Sequence, residues 1–447
     1  MTGLLAPRAL TPEELASVTA ELDAVPVPFR FALSAARLPT ATFGQMSRTW
    51  TAFRRGVEAF IDRHDGDAGR MAKALGLPEQ LVPMWESLPA RDWHLIGRPD
   101  MILGTTDGTG PERCVIVDVN AGSLAGLFPL NDMLLRAHQA DVLRPEFGAC
   151  GEPRYLMGRF ADLLRRHMTH EDGLIALTYY ADEAAGDDHF DNWHYRSLVL
   201  ELARHGLTAR SVHMEDIEIR DGAAWHRGAR IGLIHRYFLP DAENPHHMAE
   251  LSRISAAARD GALRSITGLW GEILATKATL AMLSDEEFTG ELPPSLAADL
   301  TEAVPWTRRL TERHTFWRGE RVDLLDWSLR NQHRLVIKPA LGEKGRDVLI
   351  GRELTAADWS ALIEQAAGAE RPWVVQELMT ATPKPLSFQD DSGDLHEITV
   401  PVVYGSYVLD GEFVGAIRRY GVKGDGHLMI NGLQGAVPAP VYWGDDD

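Results

Sequence analysis

The sequence predicts an α/β chain built as α+β lobes, and three observations carry that expectation. Residues 173–237 alternate strand, helix and strand: "GLIALTYYAD", then "NWHYRSLVLELARHGL" closing at Gly206, then "TARSVHMEDIEI" and "RIGLIHRYFL". Strands joined through a helix in this way form a βαβ unit with a parallel, Rossmann-like sheet. The chain before about residue 90 reads mostly helical, whereas from 334 onward it is rich in strands. Between these parts, "WHLIGRPDMILG" and "CVIVDVN" are two strands joined by "TTDGTGPER", a loop rich in glycine, threonine and aspartate that suits a hairpin.

Taken in order, the first element is a helix opening at Thr11-Pro12-Glu13-Glu14, with Thr11 as cap and Pro12 at the first helical position. "NDMLLRAHQADVL" is a helix after the strand pair. Residues 249–285 read as helical through "ILATKATLAMLSD". The later strands are "HRLVIKPA", "DVLIG", "PWVVQELM", "ITVPVVYGSYVLDGEFVGAIRRY" and "GAVPAPVYW", with Asp410-Gly411 marking a tight hairpin. No G-x-G-x-x-G follows the first strand of the βαβ unit, so a dinucleotide site is not supported.

Composition narrows the function. Of 447 residues, 45% are hydrophobic and 24% charged, ordinary values for a globular protein, and the formal net charge is -19. Such an acidic chain is a poor partner for nucleic acid or an anionic membrane. No basic start with a long apolar run opens the chain, no apolar run approaches a membrane span, and no repeat is visible. The two cysteines, Cys114 and Cys150, give neither a metal spacing nor a disulfide framework, so a reducing, cytoplasmic setting is expected.

Four stretches carry chemistry. In "VIVDVNAGSLAGL" (115–127), Asp118 and Asn120 lie two apart on a strand and face one way, as oxygen ligands for a hard cation would. Strand-end punctuation by turn formers is the bland alternative. In "LVIKPALGEKGRDVLIG" (335–351), a strand delivers Lys338 to a loop containing Gly342, Lys344 and Gly345. Glycines let backbone N–H groups approach phosphate oxygens, and Lys338 is a point charge suited to them; Lys344 reads equally as a solvated loop charge. This is no Walker loop, since no G-K-[ST] ends it. "WVVQELM" ends a strand in Gln376 and Glu377, followed by Leu378 and Met379, a setting for adenine. "GSYVLDGEFVGAIRRYG" supplies Arg418 and Arg419, which as neighbours on a strand face opposite ways, so one is catalytic and the other structural. Asn431 is a rival polar ligand. "DDHFDNWHY" (Asp187, Asp188, His189, Asp191, His194) and "NPHH" (His246, His247) form no complete ligand set, and no G-x-S-x-G is present.

Together these stretches resemble the ATP-grasp family, and their order, with acid and Asn before the lysine, resembles its circularly permuted branch of glutathionylspermidine synthase-like ligases. "GRPDM" is similar to that branch's Arg-x-Asp strand and "VDVNAGS" to its Glu-x-Asn-Ala-Asp strand, with Asp118 in place of the usual Glu. "ILATKATLAML" is similar to the helix before the lid. The resemblance spans about 90–445. It implies Mg2+ held by Asp100, Asp118 and Asn120, and Arg98 at the γ-phosphate or acyl phosphate. It further implies ATP bound by Lys338, Gly342, Lys344, Gly345, Gln376, Glu377, Leu378 and Met379, Arg418 as the catalytic arginine, and Ser123 at the substrate. The implied organisation is residues 1–165 with the metal strands, a Rossmann-like pre-ATP-grasp domain at 166–265, and a lid and nucleotide lobe at 266–447. The implied activity is amide formation between amino acids or small peptides through an acyl phosphate, releasing ADP and phosphate; the product could include a γ-glutamyl amide. A small-molecule kinase and a degenerate nucleotide-binding protein are the competing readings. The oligomeric state stays open, a homodimer included.

Overall fold

The computed structural model describes residues 11, 13–14, 32, 35–88, 92–106, 108, 110–121, 128–139, 151–182, 189–342, 348–389, 394–421 and 436–445. At its centre is an eight-stranded sheet. Along it run Ala36–Leu38, Val437–Trp443, Glu412–Tyr420, Val402–Leu409, Ile96–Thr106 and Met379–Ala381. Arg113–Ala121 pairs with Ile96–Thr106, and Glu152–Pro153 with Val437–Trp443. All these pairings are antiparallel except Ala36–Leu38 on Val437–Trp443. The hairpin expected at Asp410-Gly411 is there: both residues have positive φ, 55° and 77°, as the two-residue turn favoured between twisted strands requires.

The two faces of this sheet meet different partners. Met101, Leu103, Ile116, Val119, Tyr404 and Val408 join a core that includes Trp50 and Phe53 of the helix Thr40–Arg63. The other face, through Ile96, Tyr407 and Ile417, packs on Phe160, Leu177, Trp193 and Leu202. Those four residues belong to the βαβ region and the helix Met157–His167 beside it.

That region is the predicted unit. Leu174–Tyr179 pairs in parallel with both Ala209–His213 and Ala229–Arg236, and the helix His189–Arg204 connects the first two. The hairpin Glu218–Arg220 with Ala223–His226 extends it to five strands in antiparallel fashion. The third layer is a four-stranded antiparallel sheet, Thr307–Arg309, Trp373–Glu377, Leu335–Pro339 and Leu349–Ile350. One of its faces, Leu335, Ile337 and Val375, is buried with Trp317, Trp327 and Trp359.

One reading of the sequence needs correction. The helix expected over 249–285 is three helices: Pro245–Arg259, Gly271–Leu274 and Lys277–Leu283. Gly261, at φ 77°, follows the first of them, a backbone position that suits glycine and ends a helix. The region after 334 is not strand alone, because Ala356–Ala367 is a helix capped by the Thr355 side chain and buried through Trp359, Leu362, Ile363 and Ala366. The large sheet also takes strands from both ends of the chain, 36–153 and 379–443. At the N-terminal side, Thr11 and Glu14 exchange the reciprocal bonds of a capping box, Glu14 N–H to Thr11 Oγ1 (3.2 Å) and Thr11 N–H to Glu14 Oε2 (2.9 Å). Among the described residues, no helix is long and apolar enough to cross a membrane.

Candidate active site

The site grows from the strand pair Ile96–Thr106 and Arg113–Ala121. Asp100 stands opposite Asp118 and Arg98 opposite Asn120, so all four share one face. A bulge produces this. The register shifts so that Asp100 pairs with Asp118 but Met101 with Ile116, leaving Val117 over. Without that extra residue, Ile116, Asp118 and Asn120 would lie on one face by simple alternation. With it, Ile116 turns into the core while the two polar side chains face the site.

Cations surround the carboxylates. Arg419 Nη2 lies 2.7 Å from Asp100 Oδ1, and Arg98 Nε lies 3.6 Å from the same oxygen. Burial alone would raise the Asp100 carboxyl; Arg419 and then Arg98 outweigh it and hold it below the usual carboxylate range. Burial lowers the Arg98 pKa, with Asp100 opposing. Asn120 donates its Nδ2–H to Arg98 O at 3.2 Å, which leaves its amide oxygen for another partner.

From the facing sheet comes Lys338, buried, donating to Gln376 Oε1 (2.7 Å) and to Val117 O (3.1 Å), the carbonyl of the bulge residue. Burial pulls its pKa down to about 8 against the opposing pull of Asp118. Lys277, first residue of the helix Lys277–Leu283, reaches Asp118 Oδ1 (3.3 Å) and donates to Gly342 O (3.1 Å). The sequence reading overlooked Lys277. A signal existed: a lysine opening a helix opposes the macrodipole, so something outside the helix must hold it there.

The structure thus gathers Arg98, Asp100, Asp118, Asn120, Lys338 and Gln376, with Gly342 alongside. It separates two others. Arg418 lies on the opposite face, where its Nη1 and Nη2 donate to the hydroxyls of Tyr420 and Tyr404, both at 3.0 Å. Arg419, the alternative that the sequence leaves open, lies beside Asp100. Glu377 follows Gln376 and so points to the far side of its sheet, where Arg318 Nη2 lies 3.3 Å from its Oε1. Leu378 N–H donates to Arg334 O (2.8 Å), and Met379 pairs with Thr106 at the sheet edge. Ser123, Lys344, Gly345, Asn431, Asp187, Asp188 and the side chains of His189 and Asp191 lie outside the described residues.

His194, His246 and His247 each have a partner. His194 Nε2 is 3.0 Å from Tyr237 Oη, and burial, followed by Arg98, lowers its pKa to about 4. His247 bonds Asp182 at 3.0 Å and His246 lies 2.7 Å from Glu215. Among the described residues, no three His, Cys, Asp or Glu side chains gather as a metal centre. Two carboxylates and an amide oxygen nonetheless suit Mg2+, which completes its shell with water and phosphate. Arg419 Nε is buried without an aligned hydrogen-bond partner among the described residues, while its Nη2 is paired with Asp100 Oδ1.

No protein-family model matches the sequence, and no curated protein matches it. Solved structures do. A glutathione synthetase-like effector from Globodera pallida, in its apo form, aligns over 98% of this chain and 98% of its own, with TM-score 0.59 and 12% identity. The chain has the fold of that effector. A candidate gamma-glutamylcysteine synthetase from Methylobacillus flagellatus KT aligns over 89% of this chain and 87% of its own, with TM-score 0.43 and 12% identity. The D-cycloserine synthetase DcsG aligns over 62% and 76%, with TM-score 0.29 and 17% identity. At those scores neither of the last two bears on the fold.

Proposed function

We propose that the chain is an ATP-dependent carboxylate–amine ligase of ATP-grasp type, circularly permuted, joining amino acids or small peptides through an acyl phosphate. The observation that carries this reading is the single face on which Arg98, Asp100, Asp118, Asn120 and Arg419 meet Lys338 and Lys277 from two other elements. Four cations against two carboxylates leave that face positive within an acidic protein, which favours an anionic ligand such as a polyphosphate. The likeness to a glutathione synthetase-like effector fits the same class.

In this reading Lys338 binds the α- and β-phosphates. Gln376, on the Lys338 face, is the polar side chain at the base, and Glu377 contributes through its backbone. Asp100, Asp118 and Asn120 hold Mg2+, which when bound would neutralise charge on the phosphates. Arg98 and Arg419 flank the phosphoryl group as it passes to the substrate carboxylate. The carboxylate oxygen attacks the γ-phosphorus, the bond to the β-bridging oxygen breaks, and ADP leaves. An amine then attacks the acyl carbon, phosphate departs, and the amine loses a proton. Positioning and charge neutralisation do most of the work in such a transfer. His194 and Tyr237, beside Arg98 at the end of the parallel strands, are suited to line the acceptor pocket.

Chromatography of spent nucleotide, with pools of amino acids and mass detection of products, tests the proposal. One ADP and one phosphate per amide are expected. AMP with pyrophosphate would overturn the acyl-phosphate route. Phosphorylated product without amide would make the chain a kinase.

A further inference from the structure

Lys277 is a charge in an unfavourable place. It opens the helix Lys277–Leu283, where the macrodipole repels a cation, and its side chain is only 9% exposed. Desolvating an ammonium there needs a compensating partner. The partners are Asp118 Oδ1 at 3.3 Å and Gly342 O at 3.1 Å. Lys277 N–H also donates to Ala340 O (3.0 Å), so the lysine spans the metal-side strand and the strand-to-loop segment after Lys338. Its ammonium lies against one of the two carboxylates to which the proposed function gives the metal, while the other carboxylate is held by Arg419 and Arg98.

We propose that Lys277 is a positioning residue that stands in for the metal in the nucleotide-free protein, so that a divalent cation is admitted with a polyphosphate rather than alone. This rests on the ligase reading for the metal site. The electrostatics follow from the residues named. A bare dication approaching Asp100 and Asp118 meets Arg98, Arg419, Lys277 and Lys338, four positive groups against two negative ones. A metal bound to a triphosphate arrives as an anion. Its phosphate oxygens offer Lys277 a replacement for Asp118, and the freed carboxylate takes the metal. The same exchange releases Lys277 from Gly342, coupling ligand arrival to the start of the glycine-containing loop.

The test uses Mn2+ as probe, by electron paramagnetic resonance titration on the full chain, without nucleotide. Lys277→Met keeps length and apolar stem but removes the charge. Opposite charges this close shift a carboxylate's cation affinity by about tenfold or more, so Mn2+ alone is expected to bind Lys277→Met at least ~10-fold tighter than wild type. Lys277→Arg should stay near wild type. ATP affinity in chelator should fall in Lys277→Met, the opposite direction. Damage to the fold would not tighten metal binding, and thermal unfolding of each variant checks for it; if Lys277→Met does not fold, Lys277→Gln takes its place. Unchanged or weaker Mn2+ binding in the folded neutral variant would overturn the proposal. Failure of wild type to bind Mn2+ together with ATP would instead overturn the ligase reading, a separate outcome of the same titration.

Discussion

Arg418 and Arg419 are adjacent in sequence and sit in different chemical worlds. On one face of the central sheet, Arg419 meets the partly buried carboxylate Asp100, next to Arg98 and opposite Asp118. On the other, Arg418 is 1% exposed and its bonds go to the two phenols of Tyr404 and Tyr420, with no carboxylate in contact among the described residues. Phenols satisfy a guanidinium's hydrogen bonds without giving up a charge. The site face therefore keeps groups whose charge a ligand can reorganise, and the back face has its arginine tied to fixed neutral partners. A face of ionic contacts and a face of fixed neutral partners can share one strand, because the pleat turns successive residues to opposite sides.

The contrast can be broken by substitution. The largest effect is expected from Arg419→Ala: loss of a cation beside the phosphoryl group should lower kcat by about 10²–10³-fold, with ATP affinity changed far less. Steady-state kinetics with calorimetric ATP binding checks this, and a kcat near wild type would return the catalytic role to Arg418. Arg418→Ala should act on stability instead, by about 3 kcal/mol, because it strands two buried hydroxyls and leaves a cavity. Denaturant unfolding reads that loss, and kcat per folded molecule should stay near wild type. A stable Arg418→Ala enzyme without turnover would erase the distinction between the faces.

Lys338 sharpens the comparison through pH. Burial holds its pKa at about 8, against 10.5 for an ordinary lysine, so the folded protein releases this proton before the unfolded chain does. Its cost to stability is therefore fully present below pH 8 and is relieved as pH rises from about 8 towards 10.5. ATP binding needs the charged form, so affinity is expected to fall as pH passes about 8, and Lys338→Arg should flatten that profile. Binding isotherms between pH 7 and roughly pH 9.5 would show it; a flat wild-type profile would mean Lys338 does not meet the phosphates. The smallest effect belongs to Tyr404→Phe, which removes one hydrogen bond to Arg418 and should cost about 1–2 kcal/mol with no change in turnover.

Much of the site was legible because strand alternation is a strong signal. Asp118 with Asn120, and Lys338 before Pro339 and Gly342, could be placed from spacing alone. The choice between Arg418 and Arg419 could not. Their phase depends on a register shift in the Val402–Leu409 and Glu412–Tyr420 pair, where Tyr407 meets Gly415 but Val408 meets Phe413, and Val414 reads as any strand residue would. Val117 hides its bulge in the same way. Glu377 was placed at the nucleotide through the family resemblance, although alternation turns its side chain to the face opposite Gln376. Lys277 was lost inside an apolar helix pattern, and only its position against the dipole marks it. The helix Ala356–Ala367 was readable from Thr355 and the period of Trp359, Leu362, Ile363 and Ala366, but strands on either side obscured it.

The path of the central sheet sets a timetable for biosynthesis. Asp100 leaves the ribosome long before Arg419, by roughly a quarter of a minute to a minute at about 5–20 residues per second. The strand Val437–Trp443, which closes on Glu412–Tyr420, Ala36–Leu38 and Glu152–Pro153, comes later still. Until Met379–Ala381 and Val402–Leu409 are made, the early hairpin of Ile96–Thr106 and Arg113–Ala121 has an unpaired edge, the form of a strand prone to pairing with other chains. A prematurely terminated chain lacks Arg419, the residue that pairs with Asp100.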